Sequence, residues 1–337
     1  MTMPEPGREA GMRHRLLGRS GMRVSELCLG TMTFGSGGRT ACADEDACRA
    51  IYAAYRAAGG NFVDTADVYS SGESETIVGR LIAAERDAVV VATKFALPTG
   101  DDANSGGGHR KSMRRSVEAS LRRLGTDHVD LLWVHAWDQC TPAEETLRGL
   151  DDLVRAGKVL AIGVSNTPAW VIARSQAIAE LRGWSAFCAL QVEYSLAART
   201  VERELLPMAA SLGLAVGAWS PLARGLLAGK EPGGRAKALY PGLRRAVDAA
   251  AAVAAEIGTT TARVALAWLL RQGVTPVLGA SRPAQIRDNL GALDVRLDGE
   301  QAARLDDATR VDLGYPHDFL RTRCPTLAIP AGELHSL

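Results

Sequence analysis

The sequence has few cysteines, and they are not arranged to form disulfides or bind a metal. Its six cysteines form no Cys-x-x-Cys pair and no close group with histidine. Zinc sites and disulfide frameworks both depend on regular spacing of such residues, so the pattern argues against either. We therefore expect reduced, mostly buried thiols and no metal site.

Long apolar runs and an excess of one charge are also lacking. The formal net charge is +1 with both signs interspersed, and no stretch reaches the roughly 18 apolar residues of a membrane span. The N-terminal residues lack the apolar segment of a signal peptide. We expect a cytoplasmic protein that binds a small molecule, with no nucleic-acid or membrane partner. The sequence has no heptad repeat and no apolar interface stripe, so a homo-oligomer is possible but not indicated.

A third absence concerns the fold. No Gly-x-Gly-x-x-Gly follows the first predicted strand, which argues against a doubly wound dinucleotide-binding sheet. Strand and helix patterns instead alternate eight times, which predicts a single α/β domain over 13–320, a (β/α)8 TIM barrel. A β-hairpin from 13–17 and 23–25 is expected at one end, and 1–12 and 321–337 are expected to be flexible termini. The predicted strands are 26–30, 61–64, 89–94, 129–134, 159–164, 188–193, 214–218 and 276–279; the predicted helices are 44–58, 73–84, 112–124, 142–156, 168–181, 201–212, 245–272 and 283–292.

Two long connections interrupt the alternation, at 98–111 and 220–244. Loops of this length in a compact domain are usually functional or disordered. We expect the first to border a substrate pocket and the second to fold over a large anionic ligand. The segment after Arg310 is rich in aromatic residues and is expected to return across the barrel mouth.

Three predicted strands end in a chemically distinctive residue. Asp64, Lys94 and His135 stand at these ends, and Tyr69 follows Asp64 by five positions. The C-terminal ends of barrel strands carry the active site in this fold, so the four side chains are expected to converge. Taken singly, each has an ordinary explanation as a cap, a loop aromatic, a surface ion pair or a core histidine. Their joint placement on consecutive strands favours catalysis.

The four residues suggest proton transfer to a carbonyl oxygen. A free phenol has a pKa near 10, and a neighbouring ammonium lowers it, so Lys94 is expected to lower the pKa of Tyr69. Asp64 would compensate the burial of Lys94, and His135 would donate a hydrogen bond that orients the substrate oxygen. None of these groups supplies electrons, so carbonyl reduction would need hydride from a nicotinamide.

The same segments resemble the aldo-keto reductases. The matching stretches are NFVDTADVY at 61–69 with GESE at 72–75, ATK at 92–94 and DLLWVHAWD at 130–138, and the likeness runs in order over about 14–320. The resemblance implies a (β/α)8 barrel, a NAD(P)H cofactor, and a catalytic tetrad that matches Asp64, Tyr69, Lys94 and His135.

The resemblance also implies a cofactor groove along the strand ends. Its small residues would admit phosphate close to the backbone, and the helix that follows Ser281 and Arg282 would suit the 2′-phosphate of NADPH. Gln285 stands where many members carry Arg, but the branch of potassium-channel β-subunits also uses Ser and Gln there, so NADPH is expected and NADH stays open. Trp137 is expected in the substrate pocket. The implied cofactor residues are Gly30, Thr31, Met32, Asp64, Ser165, Asn166, Gln191, Trp219, Ser220, Pro221, Leu222, Arg224, Gly225, Lys230, Gly279, Ser281, Arg282, Gln285, Asp288 and Asn289.

The sequence therefore predicts an NADPH-dependent oxidoreductase that reduces an aldehyde or ketone to an alcohol, with Tyr69 as general acid. Two alternatives remain at this stage. One is an NADPH-binding regulatory subunit with slow residual reductase activity, and the other is a dedicated ketosugar reductase of a biosynthetic pathway. The segment 101–110 resembles the family's variable substrate loop, so the substrate is not carried over.

Overall fold

Eight parallel strands close into a barrel in the computed structural model, which describes residues 11–36, 43–231 and 240–323. Each strand pairs with its neighbours in chain order, and the last strand closes against the first. Parallel neighbours need a crossover connection, which helices on the outside provide. This is the predicted (β/α)8 TIM barrel. Its strands are β3 (Cys28–Gly30), β4 (Phe62–Asp64), β5 (Val90–Phe95), β6 (Val129–Val134), β7 (Val159–Ser165), β8 (Phe187–Glu193), β9 (Ala215–Trp219) and β10 (Thr275–Gly279).

A small antiparallel hairpin, β1 (His14–Leu16) and β2 (Arg23–Ser25), precedes the barrel as predicted. Leu17 and Val24 are buried in the same cluster as the side chains inside the barrel. The hairpin turn also lies against the start of β8, because a Cβ atom on Gly18 would stand 2.0 Å from the carbonyl oxygen of Cys188. The hairpin therefore closes the N-terminal end of the barrel.

Alternate strand residues divide between the barrel interior and the layer beneath the helices. Phe62 and Ala92 belong to the interior cluster, whereas Val63 and Val91 pack into the outer core. Successive strand residues point to opposite faces, so apolar residues are needed on both faces of a strand along most of its length. This explains the short, continuous apolar runs in the sequence.

The helices surround the barrel, and several begin at a side-chain cap. At the helix that begins at Glu45, Asp44 accepts a hydrogen bond from the amide of Ala47. At the helix that begins at Arg110, the His109 side chain accepts one from the amide of Ser112. Such caps satisfy amides that lack a partner in the first turn. The helices are α1 (Glu45–Ala57), α2 (Glu73–Ile82), α3 (Arg110–Leu124), α4 (Ala143–Arg155), α5 (Ala169–Arg182), α6 (Leu205–Leu212), α7 (Leu243–Ile257), α8 (Thr261–Arg271), α9 (Pro283–Leu290), α10 (Gly299–Ala308) and α11 (His317–Arg323).

The predicted strands agree with the structure to within two residues at either end, but two predicted helices were wrong. The span 245–272 is two helices, α7 and α8, bent by 100°. Gly258, at a φ of 75°, ends the first, and the Thr260 side chain caps the second. The span 201–212 begins in a 3-10 turn at Thr200–Glu202 and is α-helical only from Leu205, because Pro207 lacks an amide proton and must lie in the first turn.

Other predictions are refined. The loop predicted at 98–111 ends at His109, and α10 and α11 were not foreseen. The loop predicted at 220–244 contains a 3-10 segment at Ala223–Ala228, while 232–239 and most of the predicted flexible termini lie outside the described residues. Among the described residues, no single helix is long and apolar enough to cross a membrane, and only the bent pair of α7 and α8 reaches that length and composition together.

Candidate active site

Lys94 lies at the centre of a buried polar group at the C-terminal mouth of the barrel. Its side chain is 1% exposed, and its ammonium donates to the carboxylate of Asp64, to the carbonyl of Thr65 at 2.9 Å and to the hydroxyl of Tyr69 at 3.0 Å. An ammonium has three protons, so each is used. The strand ends thus bring together three of the four predicted catalytic residues.

Asp64 is held from two sides. Its carboxylate accepts a second hydrogen bond from Nε2 of Gln191 at 3.0 Å, and its backbone carbonyl accepts from the amide of Thr31 at 2.9 Å and from the Thr31 hydroxyl at 3.1 Å. The bond from Gln191 to the carboxylate is charge-assisted and offsets part of the cost of burying it, while the bonds from Thr31 hold the backbone. Asp64 is therefore fixed in position and faces Lys94.

Tyr69 stands on a tight turn rather than on a strand. Its amide closes the turn onto the carbonyl of Ala66 at 3.1 Å, and the next two residues, Ser70 and Ser71, have φ values of 47° and 55°. Left-handed backbone is unfavourable for residues with a Cβ atom, so surrounding contacts must hold it. One is the hydroxyl of Ser70, which donates to the carbonyl of Phe34 at 2.9 Å.

His135 is the fourth member of the group. Its ring stands edge-to-face against Tyr69, with centroids 6.1 Å apart and planes at 83°. Burial, assisted by the charge of Lys94, lowers the pKa of His135 to about 3. The imidazole is therefore neutral at pH 7. Its Nδ1 is buried and has no hydrogen-bond partner among the described residues, whereas its backbone is fixed by Phe95 and Asn166.

The expected lowering of the Tyr69 pKa was wrong in its net direction. Burial raises the pKa of Tyr69, Lys94 acts against this, and Asp64 adds to the rise. Burial alone would lower the pKa of Lys94, but Asp64 and Tyr69 outweigh it and raise that pKa. The phenol is therefore a fully protonated acid at neutral pH, next to a firmly charged ammonium.

The predicted nicotinamide-binding residues lie at the ends of β7, β8 and β9. Ser165 is buried and aligned with Gln191, and the amide of Asn166, in left-handed backbone, donates to Ser165 at 3.0 Å. Trp219 ends β9, and its indole Nε1 is buried without a partner among the described residues. Gln191 contacts Asp64 and Asn166 contacts the backbone of His135, whereas Trp219 lies on β9, the strand next to that of Gln191.

The segment after Trp219 is strained and bears two exposed cations. Ser220 and Arg224 have φ values of 52° and 60°, and Gly225 lies at 90°. The amide of Lys230 donates to the carbonyl of Gly225 at 3.1 Å, which folds the segment back on itself. Within this segment Pro221 is buried and Leu222 is partly buried. The Arg224 and Lys230 side chains are exposed.

At the N-terminus of α9, two backbone amides that could bind an anion already have a hydrogen-bond partner. The side-chain oxygen of Gln285 accepts from the amides of Ser281 at 2.9 Å and Arg282 at 3.2 Å, so it already occupies them. Asp288 turns away to pair with Arg263 at 2.9 Å. Asn289 is buried, while Gly279 and Arg282 are exposed. Arg282 thus has an exposed side chain here, whereas both the amide and the hydroxyl of Ser281 donate to Gln285.

The remaining predicted residues border the mouth. Gly30 ends β3 beside Asp64, with a Cβ position only 2.7 Å from Val277, and Met32 is 50% exposed. Trp137 meets Trp170 edge-to-face at 5.6 Å between ring centroids. Sequence reasoning missed Trp170, although an aromatic two residues after Pro168 at a helix start was a usable signal. It also missed Asp67 and its contact with α3.

The structure is thus a (β/α)8 barrel whose C-terminal mouth carries Asp64 and Lys94, both buried, beside the partly buried Tyr69 and His135. The chain belongs to the aldo/keto reductase family, whose sequence profile matches residues 26–310. It is 39% identical to norsolorinic acid reductase stcV of Emericella nidulans, over 94% of this chain and 86% of that protein. It is also 34% identical to an NADP(+) aryl-alcohol dehydrogenase of Phanerodontia chrysosporium, over 93% of this chain and 90% of that protein.

Proposed function

We propose that the protein reduces an aldehyde or ketone to an alcohol with NADPH, and that Tyr69 supplies the proton. The observation that carries this proposal is the set of three hydrogen bonds from Lys94, which joins Asp64 and Tyr69 in one buried group. A fixed cation beside a phenol stabilises the phenolate that remains when the proton leaves. We assign this activity to one domain over 13–320, located in the cytoplasm.

Each side chain has a separate part in the proposed step. Tyr69 holds the proton on Oη and transfers it to the carbonyl oxygen, and Lys94 stabilises the resulting phenolate. Asp64 keeps Lys94 charged and oriented through their ion pair. His135, neutral at pH 7, donates a hydrogen bond to the same carbonyl oxygen and adds no charge that would compete with Lys94. When bound, the nicotinamide cofactor supplies the hydride.

The residues at the strand ends suit such a cofactor. Trp219 offers an aromatic ring and a buried indole N–H that lacks a partner among the described residues, and the exposed Asn166 follows Ser165 at the end of β7. The left-handed backbone at Ser220 and 223–225 and the exposed Arg224 and Lys230 suit a pyrophosphate. Together they would hold a dinucleotide along the mouth.

NADPH is favoured over NADH by Arg282, whose guanidinium is exposed at the start of α9. A related aryl-alcohol dehydrogenase also carries NADP(+) in its name. The test is a titration of tryptophan fluorescence with each cofactor. Arg282→Ala should weaken NADPH binding at least tenfold and leave NADH binding unchanged. Arg287→Ala, which removes an exposed arginine from the other end of the same helix, is the matched control.

An aromatic carbonyl is the substrate class that the mouth suits best. Trp170 is 61% exposed beside Trp137, so the two indoles present an apolar surface near the tetrad. The name of one relative, an aryl-alcohol dehydrogenase, points the same way. Trp170→Ala should lower kcat/KM for an aryl aldehyde several-fold more than for a short aliphatic aldehyde, and Trp170→Phe should retain most of the preference.

The central experiment replaces the proton donor. Tyr69→Phe should lower kcat for carbonyl reduction by roughly two to four decades, while NADPH still quenches tryptophan fluorescence. Tyr315→Phe removes the same atom from a tyrosine that is 87% exposed and should behave as wild type. Near-normal reduction by Tyr69→Phe would refute the proposal.

A further inference from the structure

Asp67 connects three segments behind the tetrad. It lies inside the turn that the amide of Tyr69 closes onto Ala66, and its own amide donates to the carbonyl of Lys94 at 3.4 Å. Its side chain accepts a hydrogen bond from the hydroxyl of Ser116 on α3. Asp67 thus joins the turn of the proposed proton donor to the Lys94 strand and to a helix outside the barrel.

The carboxyl group of Asp67 is buried, and its other oxygen is unpaired. The residue is 4% exposed, and Oδ1 has no hydrogen-bond partner among the described residues. It borders a cavity of about 470 Å³ between the Tyr69 turn, the loop after β5 and α3. Apart from Ser116, Asp67 therefore has no direct side-chain partner in the described part of the chain.

The charged groups around this cavity are already engaged elsewhere. Arg123 pairs with Glu75 at 2.6 Å, and Arg115 pairs with Asp102 at 3.0 Å. Burial raises the pKa of Asp67 to about 7, whereas the Ser116 contact and the charge of Arg123 act against this and that of Glu75 adds to it. A carboxyl group in such a place is costly, and an apolar residue of similar size would avoid the cost.

The turn next to Asp67 needs support from outside. Ser70 and Ser71 are both left-handed, so the backbone just after Tyr69 is strained. Ser70 is attached on one side, through Phe34. From α3, the hydroxyl of Ser116 donates to the carboxyl group of Asp67. Without that bond, the Asp67 amide would still donate to Lys94, but the turn would lose this side-chain attachment to α3.

We propose that Asp67 is a positioning residue for Tyr69: its hydrogen bond with Ser116 fixes the turn against α3 and so aligns the phenol with Lys94. The inference rests on the proposed function. Asp67 takes no part in the transfer itself, in which the proton passes from Tyr69 to the carbonyl oxygen as hydride reaches the carbonyl carbon. Its effect is on how often Tyr69 is aligned for that transfer.

The test uses two variants of equal shape, Ser116→Thr and Ser116→Val, of which only the first keeps the hydroxyl. NADPH titration counts the folded sites, and kcat and its solvent deuterium isotope effect are measured per site. Ser116→Val should lower kcat about tenfold, raise the isotope effect and leave NADPH affinity unchanged. Ser116→Thr should stay near wild type. A merely structural defect would reduce the number of sites but not change the isotope effect.

Substitutions at Asp67 give a second, independent comparison. Asp67→Asn keeps an oxygen that accepts from Ser116 and should stay near wild type, whereas Asp67→Ala should reproduce the Ser116→Val result. Ser116→Ala, which adds no bulk, replaces the valine variant if that protein does not fold. An unchanged isotope effect and kcat per site in Asp67→Ala and in the hydroxyl-free Ser116 variant overturn the proposal.

Tyr69→Phe, measured in parallel, separates the two levels of inference. If Tyr69→Phe is inactive while the Asp67 and Ser116 variants match wild type, the role of Asp67 falls and the proposed function stands. If wild type reduces no carbonyl, or if Tyr69→Phe retains the activity, the proposed function fails and the role of Asp67 fails with it.

Discussion

Gln191 and Asp64 meet across the barrel. Nε2 of Gln191, on β8, donates to Oδ1 of Asp64, on β4, at 3.0 Å, although the strand order puts β4 and β8 on opposite sides. The bond links the proposed cofactor groove to the ion pair of Lys94. Gln191, Asp64, Lys94 and Tyr69 are thus joined by consecutive hydrogen bonds.

The Gln191 bond predicts how a second carboxylate would behave. Gln191→Glu would place two carboxylates in contact in a buried site, which raises the pKa of the new group. A raised carboxyl pKa destabilises the folded state increasingly as pH rises above the unfolded value near 4.3. We therefore expect a larger loss of unfolding free energy at pH 8 than at pH 5 by urea titration. Gln191→Met, which is neutral and similar in size, should show an equal loss at both pH values.

The ion pair between Lys94 and Asp64 predicts a non-additive effect on stability. Lys94→Met leaves a buried carboxylate without its cation and should cost about 3–5 kcal/mol of unfolding free energy. Adding Asp64→Asn removes the unpaired charge and should restore more than half of the loss, while reductase activity stays absent in both variants. Equal stability of the single and double variants in urea would contradict this.

His135 should make stability depend on pH on the acidic side. Its pKa is about 3 in the folded protein and 6.5 in the reference state, so the unfolded chain binds the additional proton between these values. The stability that this residue contributes is complete above pH 6.5 and is lost as pH falls towards 3, by up to about 1.4 kcal/mol per pH unit. His135→Gln should flatten that part of the stability curve. If wild type and His135→Gln differ in unfolding free energy by the same amount at every pH from 4 to 7, this prediction is wrong.

Ser70 tests the strained turn after Tyr69. Its φ of 47° favours glycine, but its hydroxyl bonds the carbonyl of Phe34. Ser70→Gly would relieve about 1 kcal/mol of backbone strain and lose a hydrogen bond worth about the same, so stability should barely change. Ser70→Ala loses the bond and keeps the strain, and should be less stable than Ser70→Gly by about 1 kcal/mol. Thermal unfolding of both variants would measure the difference.

The sequence predicted the strand ends well because each is marked by a chemical change. A buried parallel strand is a short apolar run, and Asp64, Lys94 and His135 each interrupt or end one, so their convergence followed from the fold rule alone. The helix break at Gly258 was missed since Ala-rich periodicity continues across it. Only the local backbone and the cap at Thr260 show that two helices meet there.

Contacts between distant residues were harder to predict. The raised pKa of Tyr69 depends on how completely the phenol is buried, which no spacing of residues reveals. In the same way, the pairing of Asp288 with Arg263 depends on how α9 meets α8. The residue types were visible in the sequence, but the partners that engage them were not.

The hairpin that closes the N-terminal end of the barrel leaves the interior open at one end. Leu17 and Val24 close the N-terminal end of the barrel, so the buried Lys94–Asp64 pair is reached from solvent through the C-terminal mouth. Every molecule that takes part in the proposed reaction would share this single entrance. Of two molecules that bind through this entrance, the one that binds deeper must bind first and leave last. The closed end of the barrel would therefore impose an order of binding and release.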